Sequence, residues 1–417
     1  MPKDVYTVSF CGTGCSRDEG EETRFWDYKI LGFLGKEKQW LNSDKNIYVR
    51  ETGYIPVRLH TEISTGLRDT KSSVTVRGVG ENDWYNQVDV CDALDSSLGN
   101  APGDLRASAR TYSEGNQRTQ SGQLLGWADG ALALHGASLA AASKAEQYNF
   151  LGHSRGAVES IMAAWFLYAY GGPAVRNIPI NIFAIDPVPG PGEWYGIQTQ
   201  LPPNVVNYVG VYAWDHLTTG FSALVPRPNA RMTKQRAHAE IESRGVGGSY
   251  LTLADNSQLA DPLVRGDLPQ PEGYTLYACR GGHGTVAGNY TSDALYDAAK
   301  VKDEVAAVPK LVYKLARAYL TQWDTVFRTR CRVRENARHL RKQIHTAHTH
   351  FDALAGGEAR TSRMTARPTV RRVSSILGRN TWDRYYLEDV VGTPPYNLAY
   401  PCTIEQSGGG WVEWSFL

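Results

Sequence analysis

Val5-Tyr6-Thr7-Val8-Ser9-Phe10 is rich in β-branched and aromatic residues and stops at Gly12-Thr13-Gly14, the pattern of a buried strand that runs into a tight loop. Residues 15–70 are mixed and polar and read as loops and an insertion. Val74-Thr75-Val76, ahead of Gly78-Val79-Gly80, reads as a second short strand. Residues 123–148 are Ala- and Leu-rich with apolar recurrences at three and four, which predicts a helix. A short strand, Tyr148 to Leu151, then meets Gly152-His153-Ser154-Arg155-Gly156. Beyond it Ala157, Ile161, Ala164, Trp165 and Tyr168 recur at helical spacing up to Gly171-Gly172-Pro173. Three later strands each end at a loop: Ile180 to Ile185 at Asp186, Val205 to Trp214 at Asp215, and Tyr274 to Cys279 at Arg280-Gly281-Gly282-His283-Gly284. Strands separated by helix-length connections predict an α/β fold, a mostly parallel sheet with helices on both faces and its site at the carboxyl ends of the strands. Residues 301–350 read as one or two long helices.

Length and charge refine this picture. A chain of 417 residues with 42% hydrophobic and 21% charged positions, 11 Trp and 23 Tyr is globular in composition, which excludes a disordered or collagen-like chain. The formal net charge of +1 hides an asymmetry. Residues 1–300 are net −6 and residues 301–417 net +7, so the reading is a catalytic α/β domain over 1–300 with insertions and a basic helical C-terminal region over 301–417 packed on it. Six cysteines without a C-x-x-C pair argue against a disulfide scaffold or a zinc site. The start, Met1-Pro2-Lys3-Asp4, lacks the apolar core of a signal peptide, and no run reaches the ~18 apolar residues of a membrane span. Synthesis in the cytoplasm as a soluble protein is the expectation.

Gly152-x-Ser154-x-Gly156 between a predicted strand and a predicted helix is the context of a nucleophile elbow, and the fold is therefore expected to be α/β-hydrolase-like. The serine needs a base and the base an orienting acid, in the chain order Ser, Asp, His. Asp186 and then His283 follow in that order at strand ends, with Asp215 as the alternative acid and His216 as the reserve base. His153 is expected to point away from the reaction and to be structural. Arg155 N–H, with Gly12 and Thr13 from the first loop, are the candidates for an oxyanion hole. The same loop fails the dinucleotide fingerprint, because Arg17 stands where its third glycine would fall. No cofactor and no metal are expected. Residues 326–342 hold seven Arg or Lys and one acid, Glu335, which raises an anionic membrane surface as a candidate partner beside a plain solvated face; nucleic acid is not expected.

F-C-G-T-G-C at 10–15, R-G-V-G at 77–80, G-H-S-R-G-A at 152–157, Y-A-W-D-H-L-T-T-G-F at 212–221 and G-G-H at 281–283 together resemble a family of bacterial and fungal α/β-hydrolase domains. The type VI secretion phospholipase effectors are its best-understood members. The likeness covers roughly residues 5–290. Cys11 and Cys15 stand where the family has aspartate and asparagine, and His153 where it has phenylalanine. The resemblance implies hydrolysis of phospholipid carboxylic esters by Ser154, His283 and Asp186. It also implies an antibacterial effector delivered by a contractile secretion machine, with a spike protein and a cognate immunity protein as partners. A soluble esterase or thioesterase, or a non-catalytic delivery protein on a hydrolase scaffold, are the other readings.

Overall fold

Alternation along strand β1 (Val5–Phe10) explains a sheet that is covered on both sides. Tyr6, Val8 and Phe10 enter one apolar layer, while Thr7 and Ser9 are turned to the other face and are equally buried. The computed structural model describes residues 3–15, 24–31, 35–42, 52–66, 69–80, 98, 100–107, 128–190, 195–213, 223–226, 228–233, 272–288, 303–354, 403–404 and 414–416. Strand β1 lies between β4 (Ser73–Val76) and β5 (Gln147–His153), followed in space by β6 (Ile180–Ile185), β7 (Val205–Ala213) and β8 (Tyr274–Cys279), all parallel. The fold is α/β with an open, mostly parallel sheet. A separate antiparallel pair, β2 (Arg24–Leu31) and β3 (Gly35–Asn42), occupies part of the span expected to be loops.

Helices cover both faces, as the sequence leads one to expect. On one side α2 (Asp129–Ser143) and α3 (Arg155–Tyr170) bury their alanines and aromatics against Phe10, Phe150, Ile182 and Tyr208. On the other, α1 (Ile55–Ile63), α4 (Asp303–Gln322) and α5 (Ala337–Thr346) pack on Leu151, Phe183, Ile185 and Val211. Helix α1 is absent from the sequence reading. Ile55, Val57 and Leu59 alternate with Arg58, His60 and Glu62, all buried, so its pattern has a period of two rather than 3.6.

The C-terminal region departs from a helical extension. Helix α4 ends in an irregular strap over residues 323–336, and α5 and a short α6 (His348–Leu354) follow. Strands β9 (Thr403–Ile404) and β10 (Trp414–Phe416) then extend the main sheet, β10 running parallel to β8 and antiparallel to β9. The described residues beyond 300 thus contribute to the same sheet and the same apolar layer.

Polar residues on the strands explain where the strap begins. Trp323 O accepts from Gln147 Nε2 at 2.7 Å and Asn149 Nδ2 at 2.9 Å, and Asn149, Asn181 and Asn207 pass amide hydrogen bonds of 2.7 Å across three neighbouring strands. Arg328 N–H then donates to Glu62 O at 2.8 Å, and the Glu62 carboxylate receives the Arg317 guanidinium and the Tyr313 hydroxyl. Arg328, Arg330, Arg332 and Arg334 are exposed while Val333 is buried. These contacts put the start of the strap at the amino ends of the strands, opposite the elbow.

Candidate active site

Strand β5 ends at His153 and α3 begins at Arg155, so the turn between them is a single residue. Ser154 has φ 57° and ψ −129°, a conformation that a non-glycine residue adopts only when its surroundings enforce it. The flanking glycines permit the approach. A Cβ on Gly152 would stand 2.4 Å from Gly156 O, and one on Gly156 would stand 2.4 Å from Phe10 O. Ser154 N–H donates to Ile185 O at 3.0 Å, while Ser154 O accepts from Ala157 N–H and Val188 N–H. The elbow is therefore tied both to the helix and to the loop that carries Asp186.

Asp186 follows directly on β6 and also has positive φ, 40°. Its N–H donates to Val211 O at 2.7 Å, and its Oδ1 accepts from Ala213 N–H at 3.0 Å. Its Oδ2 lies 2.6 Å from His283 Nδ1, and His283 Nε2 lies 2.9 Å from Ser154 Oγ. Ser154, proposed from the Gly-x-Ser-x-Gly elbow, and Asp186 and His283, proposed from their chain order and their places at strand ends, form one continuous chain of side chains. All three are buried, Ser154 and His283 each keeping 6% of their surface exposed. Burial lowers the His283 pKa to about 3, which leaves the imidazole neutral with a lone pair toward the serine. The Asp186 carboxylate on the opposite nitrogen acts in the other sense, favouring the imidazolium once a proton arrives. The alternative acid Asp215 and the reserve base His216 lie outside the described residues.

The first loop does reach the elbow, since a Cβ on Gly12 would stand 3.0 Å from Ser154 Cβ. Its N–H, however, donates to Tyr54 Oη at 2.7 Å, which corrects the assignment of Gly12 as an oxyanion donor. Thr13 N–H and Arg155 N–H remain the expected pair. The Arg155 side chain braces this arrangement, donating to Thr13 Oγ1 at 3.0 Å and to Pro189 O at 3.3 Å. Among the described residues no group of His, Cys, Asp and Glu could hold a metal.

Two features escaped the sequence reading. His153 does not point away: it lies between Tyr54 and His283, fully buried, with its ring centroid 4.7 Å from that of His283. Behind Arg155 lie two buried carboxyls, Asp129, whose Oδ2 stands 3.9 Å from Arg155 Nε, and Glu159; Asp129 Oδ1 and both Glu159 oxygens have no hydrogen-bond partner among the described residues. Burial and the nearby Asp129 push Glu159 well above the carboxylate range, and burial lifts Asp129 to about 7 against the pull of Arg155.

These raised values set a pH dependence. The unfolded chain releases both carboxyl protons near pH 4 while the folded chain keeps them, so the protonated forms favour the native state and stability falls as pH rises through the folded values. The depressed His153 and His283 act oppositely, but only below their unfolded value of ~6.5. Between pH 7 and 9 the carboxyls dominate. Glu159→Gln is expected to raise the melting temperature at pH 9 and to flatten its decline from pH 7, read by thermal denaturation. An unchanged slope would mean that Glu159 is ionised in the native state.

No family model matches the chain. No curated protein matches it either. Among solved structures, an uncharacterized protein from Pseudomonas aeruginosa aligns with a TM-score of 0.41 at 12% identity, over 86% of this chain and 51% of that one. The chain thus spans about half the length of that neighbour. No helix among the described residues is long and apolar enough to cross a membrane.

Proposed function

We propose that the protein is a serine hydrolase that cleaves carboxylic esters through a covalent acyl-enzyme. The observation that carries this reading is the hydrogen-bonded chain from Asp186 Oδ2 through His283 to Ser154 Oγ, at 2.6 and 2.9 Å, mounted on a backbone turn that only a constrained serine would occupy. Ser154 Oγ attacks the acyl carbonyl as His283 Nε2 takes its proton, and Asp186 keeps the other ring proton on Nδ1. Thr13 and Arg155 N–H receive the oxyanion. The imidazolium returns the proton to the leaving alcohol, and water activated by the same histidine releases the acid.

The motif resemblance adds phospholipid as the substrate class and an antibacterial effector, exported by a contractile machine, as the setting. A bilayer held by the arginine strap would face the amino ends of the strands, so lipid entry is assigned instead to the loops around Ser154. A fluorophosphonate probe is expected to label Ser154, identified by mass spectrometry of the labelled peptide. Phospholipid acyl esters are expected to be hydrolysed alongside short-chain nitrophenyl esters. A protein that neither takes the probe nor turns over an ester overturns the reading. Turnover of soluble esters with no lipid turnover would move the substrate to a small ester or thioester.

A further inference from the structure

A second hydrogen-bonded path runs behind the nucleophile and meets three of the four segments that build the site, all but the one that carries Asp186. Gly12 N–H in the first loop donates to Tyr54 Oη at 2.7 Å, and Tyr54 Oη lies 3.0 Å from His153 Nδ1. His153 Nε2 lies 3.1 Å from the backbone oxygen of His283. His153 is itself the residue before the nucleophile, so the path joins the oxyanion loop, the elbow and the histidine loop.

Its direction follows from chemistry. A backbone carbonyl can only accept, so His153 Nε2 carries a hydrogen and donates to His283 O. The ring is fully buried beside a second imidazole, which holds it neutral. Its Nδ1 is then a lone pair and receives the Tyr54 hydroxyl proton, while Tyr54 Oη receives Gly12 N–H. Each bond fixes the role of the next. A ring that merely filled space at position 153 would need none of these partners.

We propose that His153 and Tyr54 are positioning residues of the hydrolase, holding the His283 loop and the oxyanion loop at a fixed height over Ser154. The inference rests on the reading of Ser154, His283 and Asp186 as a catalytic triad. His283 Nε2 must stay within hydrogen-bond reach of Ser154 Oγ, and its ring is suspended from the same backbone whose carbonyl His153 grips. A displacement of about 1 Å at reacting groups can lower a rate roughly 100-fold.

Two isosteres separate this role from simple packing. Glutamine at 153 places its amide N–H where imidazole Nε2 stands and keeps the bond to His283 O; asparagine places its amide at the Nδ1 position and loses that bond. On a nitrophenyl ester, His153→Gln is expected to keep a kcat close to wild type, whereas His153→Asn lowers it roughly 100-fold with KM little changed. Tyr54→Phe, which removes one oxygen, is expected to lower kcat without loss of folding. Equal kcat for the Gln and Asn variants, or a Tyr54→Phe enzyme as active as wild type, overturns the proposal.

A spectroscopic arm reads the path without turnover. In protein labelled with 15N-histidine, His153 is expected as the neutral Nε2–H tautomer at pH 7, and Tyr54→Phe is expected to shift its Nδ1 resonance. A charged ring or the Nδ1–H tautomer overturns the proposal whatever the activity. A wild-type protein that is inert to ester and probe overturns the triad reading, and the positioning role with it, while the tautomer still reports whether the path is built.

Discussion

Ser154→Ala is expected to leave a folded protein whose kcat on a nitrophenyl ester is lower by about 10³- to 10⁶-fold. The range spans what triad enzymes lose when the nucleophile is removed and the oxyanion hole and binding contacts continue to act. The fold should tolerate the change because the Ser154 backbone bonds, to Ile185, Ala157 and Val188, involve no side-chain atom. Ser154→Gly sharpens the test. With φ 57° and ψ −129° the position suits glycine, so relief of backbone strain, of order 1–3 kcal/mol, is expected to raise the melting temperature while activity is abolished. A gain in stability together with loss of turnover would show that the strain is maintained for the reaction. Full activity in Ser154→Ala would remove Ser154 from the mechanism.

The parts of the site that the sequence disclosed are those encoded by neighbouring residues. Strand, glycine, serine, glycine and helix succeed one another within β5 and α3, so the elbow is a local signal. Asp186 and His283 were legible because each follows a strand, and the ends of parallel strands converge on one edge of the sheet. Strand ends alone left Asp215 beside Asp186 as a candidate acid, and it is the 2.6 Å contact of His283 Nδ1 with Asp186 Oδ2 that supports Asp186. Tyr54 gave no signal at all. It precedes a helix whose buried Arg58, His60 and Glu62 disguise its period, and it meets His153 across 99 residues of chain. Glu62 is buried because Tyr313 and Arg317, some 250 residues later, supply its hydrogen bonds. The arginines at spacing two were readable as a pattern, yet their common exposure depends on an irregular strap that Arg328 ties to the end of α1 through Glu62 O and Ile63 O.

Asp186→Asn tests the geometry more closely than removal of the nucleophile does. Asp186 Oδ1 faces the Ala213 N–H at 3.0 Å, a donor that the backbone fixes in place. An asparagine must therefore turn its carbonyl oxygen to Ala213, which leaves its NH₂ group facing His283 Nδ1. That nitrogen then has to present a lone pair, and the single proton of a neutral imidazole moves to Nε2, where it points at Ser154 Oγ. The base is blocked by its own proton. Hydrogen bonding within the site stays satisfied, so folding and fluorescence should change little while kcat falls by about 10⁴-fold, the loss that an inverted tautomer produces in a triad. In the 15N-histidine spectrum the variant is expected to carry His283 as the Nε2–H tautomer, where the wild type carries Nδ1–H. Asp215→Asn, made alongside, is expected to retain most activity. A variant Asp186→Asn that keeps its rate, or an Asp215→Asn that loses it, would transfer the role of the acid away from Asp186.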